Sequence, residues 1–196
     1  ESIEVSNENL ANSFNGTLLV ATVTVLSFLA LYYLGNKIVS KADSLNFSKP
    51  VAIGLMISIG IGLHNFGEGL AIGAAVGIGS IAFSTFLIVG FALHNTTEGI
   101  AIAAPMSRGK LMLGKLAIMG MIAGTPAIFG AWIGGFAYSP FTSVIFLAIG
   151  AGAIFQVILV LMKWIQKEND GNLSTLSIVS GFAIGMLVMY LTSILV

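Results

Sequence analysis

Leu63-His64-Asn65-Phe66-Gly67-Glu68-Gly69-Leu70-Ala71-Ile72 returns 30 residues later as Leu93-His94-Asn95-Thr96-Thr97-Glu98-Gly99-Ile100-Ala101-Ile102. Each copy lies inside a long apolar run, 51–76 for the first and 81–104 for the second. Four further runs, 17–34, 113–134, 142–162 and 176–196, bring the total to six. A helix needs about 20 apolar residues to cross hydrocarbon, and each run reaches or nearly reaches that length. Helix is the expected form because lipid offers the backbone no hydrogen-bond partners. Barrel strands, about ten residues of alternating polarity, do not fit runs this long and continuous. The expected fold is all-α: a polytopic transmembrane helix bundle of six spans, one domain over 1–196.

Composition excludes several other classes. Apolar types make up 57% of 196 residues and charged types 8%, with a mean hydropathy of +1.01. Soluble domains carry about 25% charged residues, which argues against a soluble globule. The absence of Cys removes disulfides and thiolate metal sites. Zero formal net charge argues against a nucleic-acid partner. The chain begins with Glu1 rather than Met, which suggests a processed product or a fragment. A signal peptide is not expected, because Glu1, Glu4 and Glu8 precede the first run with no Lys or Arg.

Charge sets an expected orientation. Lys37, Lys41 and Lys49 lie between the first and second runs, Arg108, Lys110 and Lys115 at the third connection, and Lys163 and Lys167 at the fifth. The alternate connections, 77–80 and 135–141, carry no charge. The positive-inside rule then places the three basic loops in the cytoplasm and both ends of the chain outside. Short connections suggest that consecutive helices pack as antiparallel neighbours. Gly69/Gly73/Gly77, Gly120/Gly124, Gly130/Gly134 and Gly181/Gly185 carry the four-residue spacing that lets membrane helices approach closely. Pro126 interrupts the fourth run and is expected to kink it.

Polar groups inside a bilayer are costly and mark function. Of eight acidic residues, Glu1, Glu4 and Glu8 are N-terminal and Asp43, Glu168 and Asp170 fall in basic loops. Glu68 and Glu98 remain, each four residues after one of the two histidines, His64 and His94. Positions i and i+4 differ by about 40° on a helix and share a face, and the following Asn is turned about 100° from the His. His64 and His94 each stand fifteen residues from the turn at Gly79. Two antiparallel helices from that turn bring both imidazoles to one depth, about 22 Å down. Imidazole and carboxylate are good ligands for Zn²⁺ and neighbouring ions. Two carboxylates also balance a dication held in a low dielectric. The candidate metal ligands are therefore His64, Asn65, Glu68, His94, Asn95 and Glu98. On spacing alone, a proton or monovalent-cation pathway competes with metal.

The segments His64-Asn65-x-x-Glu68-Gly69-Leu70-Ala71-Ile72-Gly73 and His94-Asn95-x-x-Glu98-Gly99-Ile100-Ala101-Ile102-x-x-Pro105 resemble the fourth and fifth helices of ZIP divalent-metal transporters. The remaining runs would correspond to the family's third, sixth, seventh and eighth helices. The resemblance implies a binuclear or closely spaced site at the bundle centre, with Glu68 and Glu98 as bridging carboxylates. Zn²⁺ would be the transported substrate, with Cd²⁺, Fe²⁺ or Mn²⁺ as related cargo. It further implies movement toward the cytoplasm across the plasma membrane, a homodimer, and no enzymatic activity. This chain departs from the family pattern in three ways. It offers six spans where the family has eight, lacking the first two. The sixth-helix carboxylate found in many relatives is missing, since the region reads Gly124-Thr125-Pro126-Ala127. The loop after the first run holds no His.

A rival reading is an intramembrane metal-dependent hydrolase, although neither motif is His-Glu-x-x-His. Gln156 is expected to hydrogen-bond a neighbouring helix. Thr96, Thr97 and Ser58 are expected to bond to their own helix backbones. Tyr32, Tyr33 and Trp164 stand at run ends, as interfacial anchors do.

Overall fold

The computed structural model describes residues 16–42, 44, 47–107 and 113–194, and each apolar run in it is a helix. These are α1 (Gly16–Ser40), α2 (Lys49–Gly77), α3 (Ile81–Ala103), α4 (Leu113–Phe136), α5 (Pro140–Glu168) and α6 (Leu176–Ile194). No strand occurs among the described residues. Glu1, Glu4, Glu8, Asp43, Arg108 and Lys110 lie outside them. The protein is an all-α membrane bundle: five helices are long and apolar enough to cross a bilayer. The sixth is shorter, its apolar part spanning Leu176–Thr192. At about 1.5 Å per residue that part reaches about 26 Å, slightly less than a hydrocarbon core.

Local chemistry sets the helix ends. Pro50 and Pro140 sit in the first turns of α2 and α5, where a missing N–H costs nothing. Pro105 lies in a single 3-10 turn, Ala104–Met106, that closes α3. Gly79 takes φ +77° between α2 and α3, a conformation that side chains resist. α1 and α5 continue past the expected ends at 34 and 162. Strong helix formers such as Lys37, Lys163 and Lys167 carry the backbone on beyond the apolar stretch.

One helix is central. The most apolar stretch of α2 is 61% buried in the bundle, against 17% for α1, α3 and α4. Its tightest neighbour is α4, two helices on, and not the consecutive α3. The residue pairs rise together along the two chains: Gly54 meets Met119, Gly62 meets Ile122, Gly69 meets Ala127 and Gly73 meets Ala131. α2 and α4 are therefore parallel, which corrects the expectation that consecutive antiparallel pairs dominate. The reason is steric. A Cβ at Gly69 or Gly73 would run into the Ala127 or Ala131 carbonyl, and one at Gly130 or Gly134 into the Phe66 or Leu70 carbonyl. Only mutual glycine lets these backbones touch. Gly120, Gly124, Gly181 and Gly185, which share the spacing, have nothing within 4 Å of such a Cβ.

Pro126 stands inside α4 without ending it. It has no N–H for the Ile122 carbonyl, and Gly62 of α2 packs against that oxygen. α5 crosses the other side of α2 in the antiparallel sense, with Gly150 against His64 and Val157 against Gly60. α1 lies on α5, where Thr24 and Ser27 donate to the Ala148 and Ile149 carbonyls at 3.2 and 2.9 Å.

Gly69→Ala should destabilise the detergent-solubilised protein by about 1–3 kcal/mol, the usual cost of overpacking. Gly124→Ala, with open space around it, should stay within about 0.5 kcal/mol of wild type. Thermal unfolding of the two variants side by side measures the difference, and equal losses would refute the α2–α4 contact.

Candidate metal centre

The two repeated segments face each other across α2 and α3. Glu68 is 6% exposed, held inward because α2 is wrapped by α4 and α5. Two imidazoles converge on one of its oxygens. His94 Nε2 lies 2.5 Å from Glu68 Oε1, and His64 Nε2 lies 3.3 Å from the same atom. The other oxygen, Oε2, accepts a 3.3 Å hydrogen bond from Asn95 Nδ2. Phe91, one turn before His94, sets its ring edge against that imidazole at 5.5 Å and steadies its orientation.

His64, Glu68 and His94 each offer a ligand atom, all within 4.8 Å of one another. A tetrahedral Zn²⁺ with ligands at 2.0–2.2 Å needs ligand atoms about 3.3 Å apart. The His64–Glu68 separation already matches. The His94–Glu68 separation is that of a hydrogen bond, so an arriving ion would displace the shared proton and part the two groups by roughly 1 Å.

Glu98 stands outside this tight group, but it lines the same cavity as His64, Glu68 and His94. That cavity is about 370 Å³ and is bounded farther out by Ile154 of α5 and Met189 of α6. Asn65 donates to the Ala123 carbonyl of α4 at 3.2 Å. Its Nδ2 therefore ties α2 to the neighbouring helix.

Five buried side-chain polar atoms have no hydrogen-bond partner among the described residues. Three are oxygens of the candidate ligands: Asn65 Oδ1, Asn95 Oδ1 and Glu98 Oε2. Leaving a buried acceptor unpaired costs about 1–3 kcal/mol. Of the three residues, Glu98 lines the cavity with His64, Glu68 and His94, and Asn95 reaches Glu68 through its amide nitrogen. Thr96 and Thr97 take no part, since they donate to the Ala92 and His94 carbonyls of their own helix. Ser58 likewise donates to the Gly54 carbonyl.

The remaining two unpartnered atoms belong to Gln156 of α5. The expected bond from Gln156 to a neighbouring helix is not made, because Gly35 and Gly60 present no side chain to its amide. Sequence reasoning overlooked the cavity that Gln156 shares with the lysines at the basic helix ends, since its residues come from three separate helices. Searches against family models, curated proteins and solved structures match nothing to this chain.

Glu68→Gln should lower Zn²⁺ affinity, read by calorimetry, by more than about a hundredfold, beyond the loss typical of an outer-shell partner. Asn95→Ala, which removes the bond that steadies Glu68 together with an unpartnered amide oxygen, should cost about ten- to a hundredfold. Unchanged affinity in Glu68→Gln would refute the site.

Proposed function

We propose that the protein carries a divalent metal ion, Zn²⁺ first, across the membrane through the site on α2 and α3. The observation that carries this reading is the buried carboxylate of Glu68, met by an imidazole from each of two antiparallel helices. Glu68 and Glu98 offset the ion's +2 charge, which lowers the cost of taking it out of water. Nitrogen and oxygen ligands without thiolate favour exchange over permanent retention. Glu98, on the wall of the same cavity, supplies a further contact.

The likeness of the two repeated segments to ZIP transporters supports the same reading, and the direction toward the cytoplasm and a homodimeric assembly rest on that likeness. The described basic residues, Lys37, Lys41, Lys49, Lys115, Lys163 and Lys167, lie at helix ends or in a connection at one end of the bundle. That asymmetry supports an orientation with this end in the cytoplasm, and the plasma membrane as the location rests on the likeness alone. The protein would be a carrier and not an enzyme. A hydrolase would need an open coordination position with a water and a separate general base beside it, and neither repeated segment has the His-Glu-x-x-His spacing that builds one on a single helix.

Proteoliposomes holding the full chain and a Zn²⁺-sensitive dye should show saturable uptake. Glu68→Ala and His94→Ala should each lower it at least tenfold, while cleavage of lipid or peptide stays at background. Metal-independent proton flux of equal size, or hydrolysis without uptake, would overturn the proposal.

A further inference from the structure

A second cavity, about 250 Å³, opens between α1, α2 and α5 at the basic end of the bundle. Lys49, Lys163 and Lys167 line it, with Tyr32 and Trp164 on its walls and Gln156 at its inner end. Three ammonium groups repel a divalent cation, so this is no exit for metal. The cavity suits an anion.

Its parts are arranged rather than scattered. Lys163 Nζ donates to the Tyr32 hydroxyl at 3.3 Å and sits 4.7 Å from that ring's centroid, which fixes the ammonium at the cavity wall. Lys49 is the first residue of α2, a 29-residue helix with no acidic residue in its first turn and no side-chain cap from Ser48. The positive end of that helix dipole therefore adds to the lysine charges.

Gln156 supplies an independent observation. It is 1% exposed, and neither its Nε2 nor its Oε1 has a partner. A buried amide in this state calls for an explanation, and an occupant of the cavity it lines supplies one. Along α5 it lies seven residues, about 10 Å, below Lys163. An inorganic phosphate is too small to reach both. A glycerophospholipid carries a phosphate at its head, ester carbonyls below it and acyl chains that leave between helices. The geometry points to an anionic phospholipid held here: its phosphate among Lys49, Lys163 and Lys167, and an ester carbonyl accepting from Gln156 Nε2. Tyr32 and Trp164 match the interfacial depth at which such a headgroup lies. Basic pockets between membrane helices recognise anionic headgroups in this way. The inference is independent of metal transport.

Native mass spectrometry of the full chain in nanodiscs of phosphatidylglycerol mixed with phosphatidylcholine tests it. Phosphatidylglycerol should be retained at least tenfold over phosphatidylcholine. Lys167→Gln, an exposed change, should lower retention about fivefold, and the triple Lys49→Gln, Lys163→Gln, Lys167→Gln variant on the order of a hundredfold. Gln156→Leu should lower it several-fold while leaving a cooperative thermal transition. Millimolar inorganic phosphate should leave the lipid in place. Equal retention of both lipids, wild-type retention in Lys167→Gln and Gln156→Leu, or full displacement by phosphate would each overturn the assignment.

Discussion

The contact on which the bundle depends is backbone against backbone, where Gly69 and Gly73 of α2 meet Ala127 and Ala131 of α4, and Gly130 and Gly134 of α4 meet Phe66 and Leu70 of α2. In lipid there is little hydrophobic gain from bringing two apolar helices together, so close van der Waals packing must do it. Glycine on both sides makes the approach close enough. The consequence reaches the site directly, because Glu68 and Gly69 are neighbours. With α4 seated on the glycine face and α5 on another, α2 has one remaining side on which to present its polar groups. That side faces α3.

A carboxylate placed in such surroundings would be expensive without partners. Here its two oxygens are shared among His64, His94 and Asn95. The same arrangement leaves Asn65 Oδ1, Asn95 Oδ1 and Glu98 Oε2 unsatisfied. Satisfying the carboxylate and leaving other acceptors open are opposite tendencies, and the proposed metal binding accounts for both. Under that proposal an ion would replace the proton between His94 and Glu68, with Glu98 on the wall of the same cavity. Binding would therefore exchange one set of contacts for another rather than fill a void.

Much of this was legible in the residues. The six apolar runs marked the helices. The two histidines and two intramembrane glutamates marked the site, since a bilayer makes ionisable groups costly wherever they do not serve a function. Equal counting from Gly79 brought His64 and His94 together, and the turn does fall there. Which glycines would touch was not legible. Gly69/Gly73 and Gly120/Gly124 have the same spacing, and only the fold distinguishes them. The α2–α4 pairing was hidden for the same reason, because short loops constrain chain order more strongly than they constrain contact. Gln156 was visible as a polar residue in an apolar run. Its lack of a partner depends on Gly35 and Gly60, which are remote in sequence and offer it only backbone.

The repeat itself is where sequence symmetry and structural symmetry part. His-Asn-x-x-Glu-Gly occurs in both helices, yet Glu68 collects both imidazoles while Glu98 stands outside the cluster. The intervening residues account for it. In α2 they are Phe66 and Gly67: Phe66 packs on Phe146 at 4.7 Å, and Gly67 lies beside Leu147, so that turn is clamped to α5. In α3 they are Thr96 and Thr97, which bond back to their own helix, and Gly99 meets nothing within 4 Å. One glutamate therefore sits on a fixed helix and the other on a helix with few packed neighbours. Elements with fewer packed contacts open at lower free energy. Under the proposed transport, α2 would hold the ion's position and α3 would supply the ligands that yield. Two identical motifs can take different roles because the helices that carry them are packed differently.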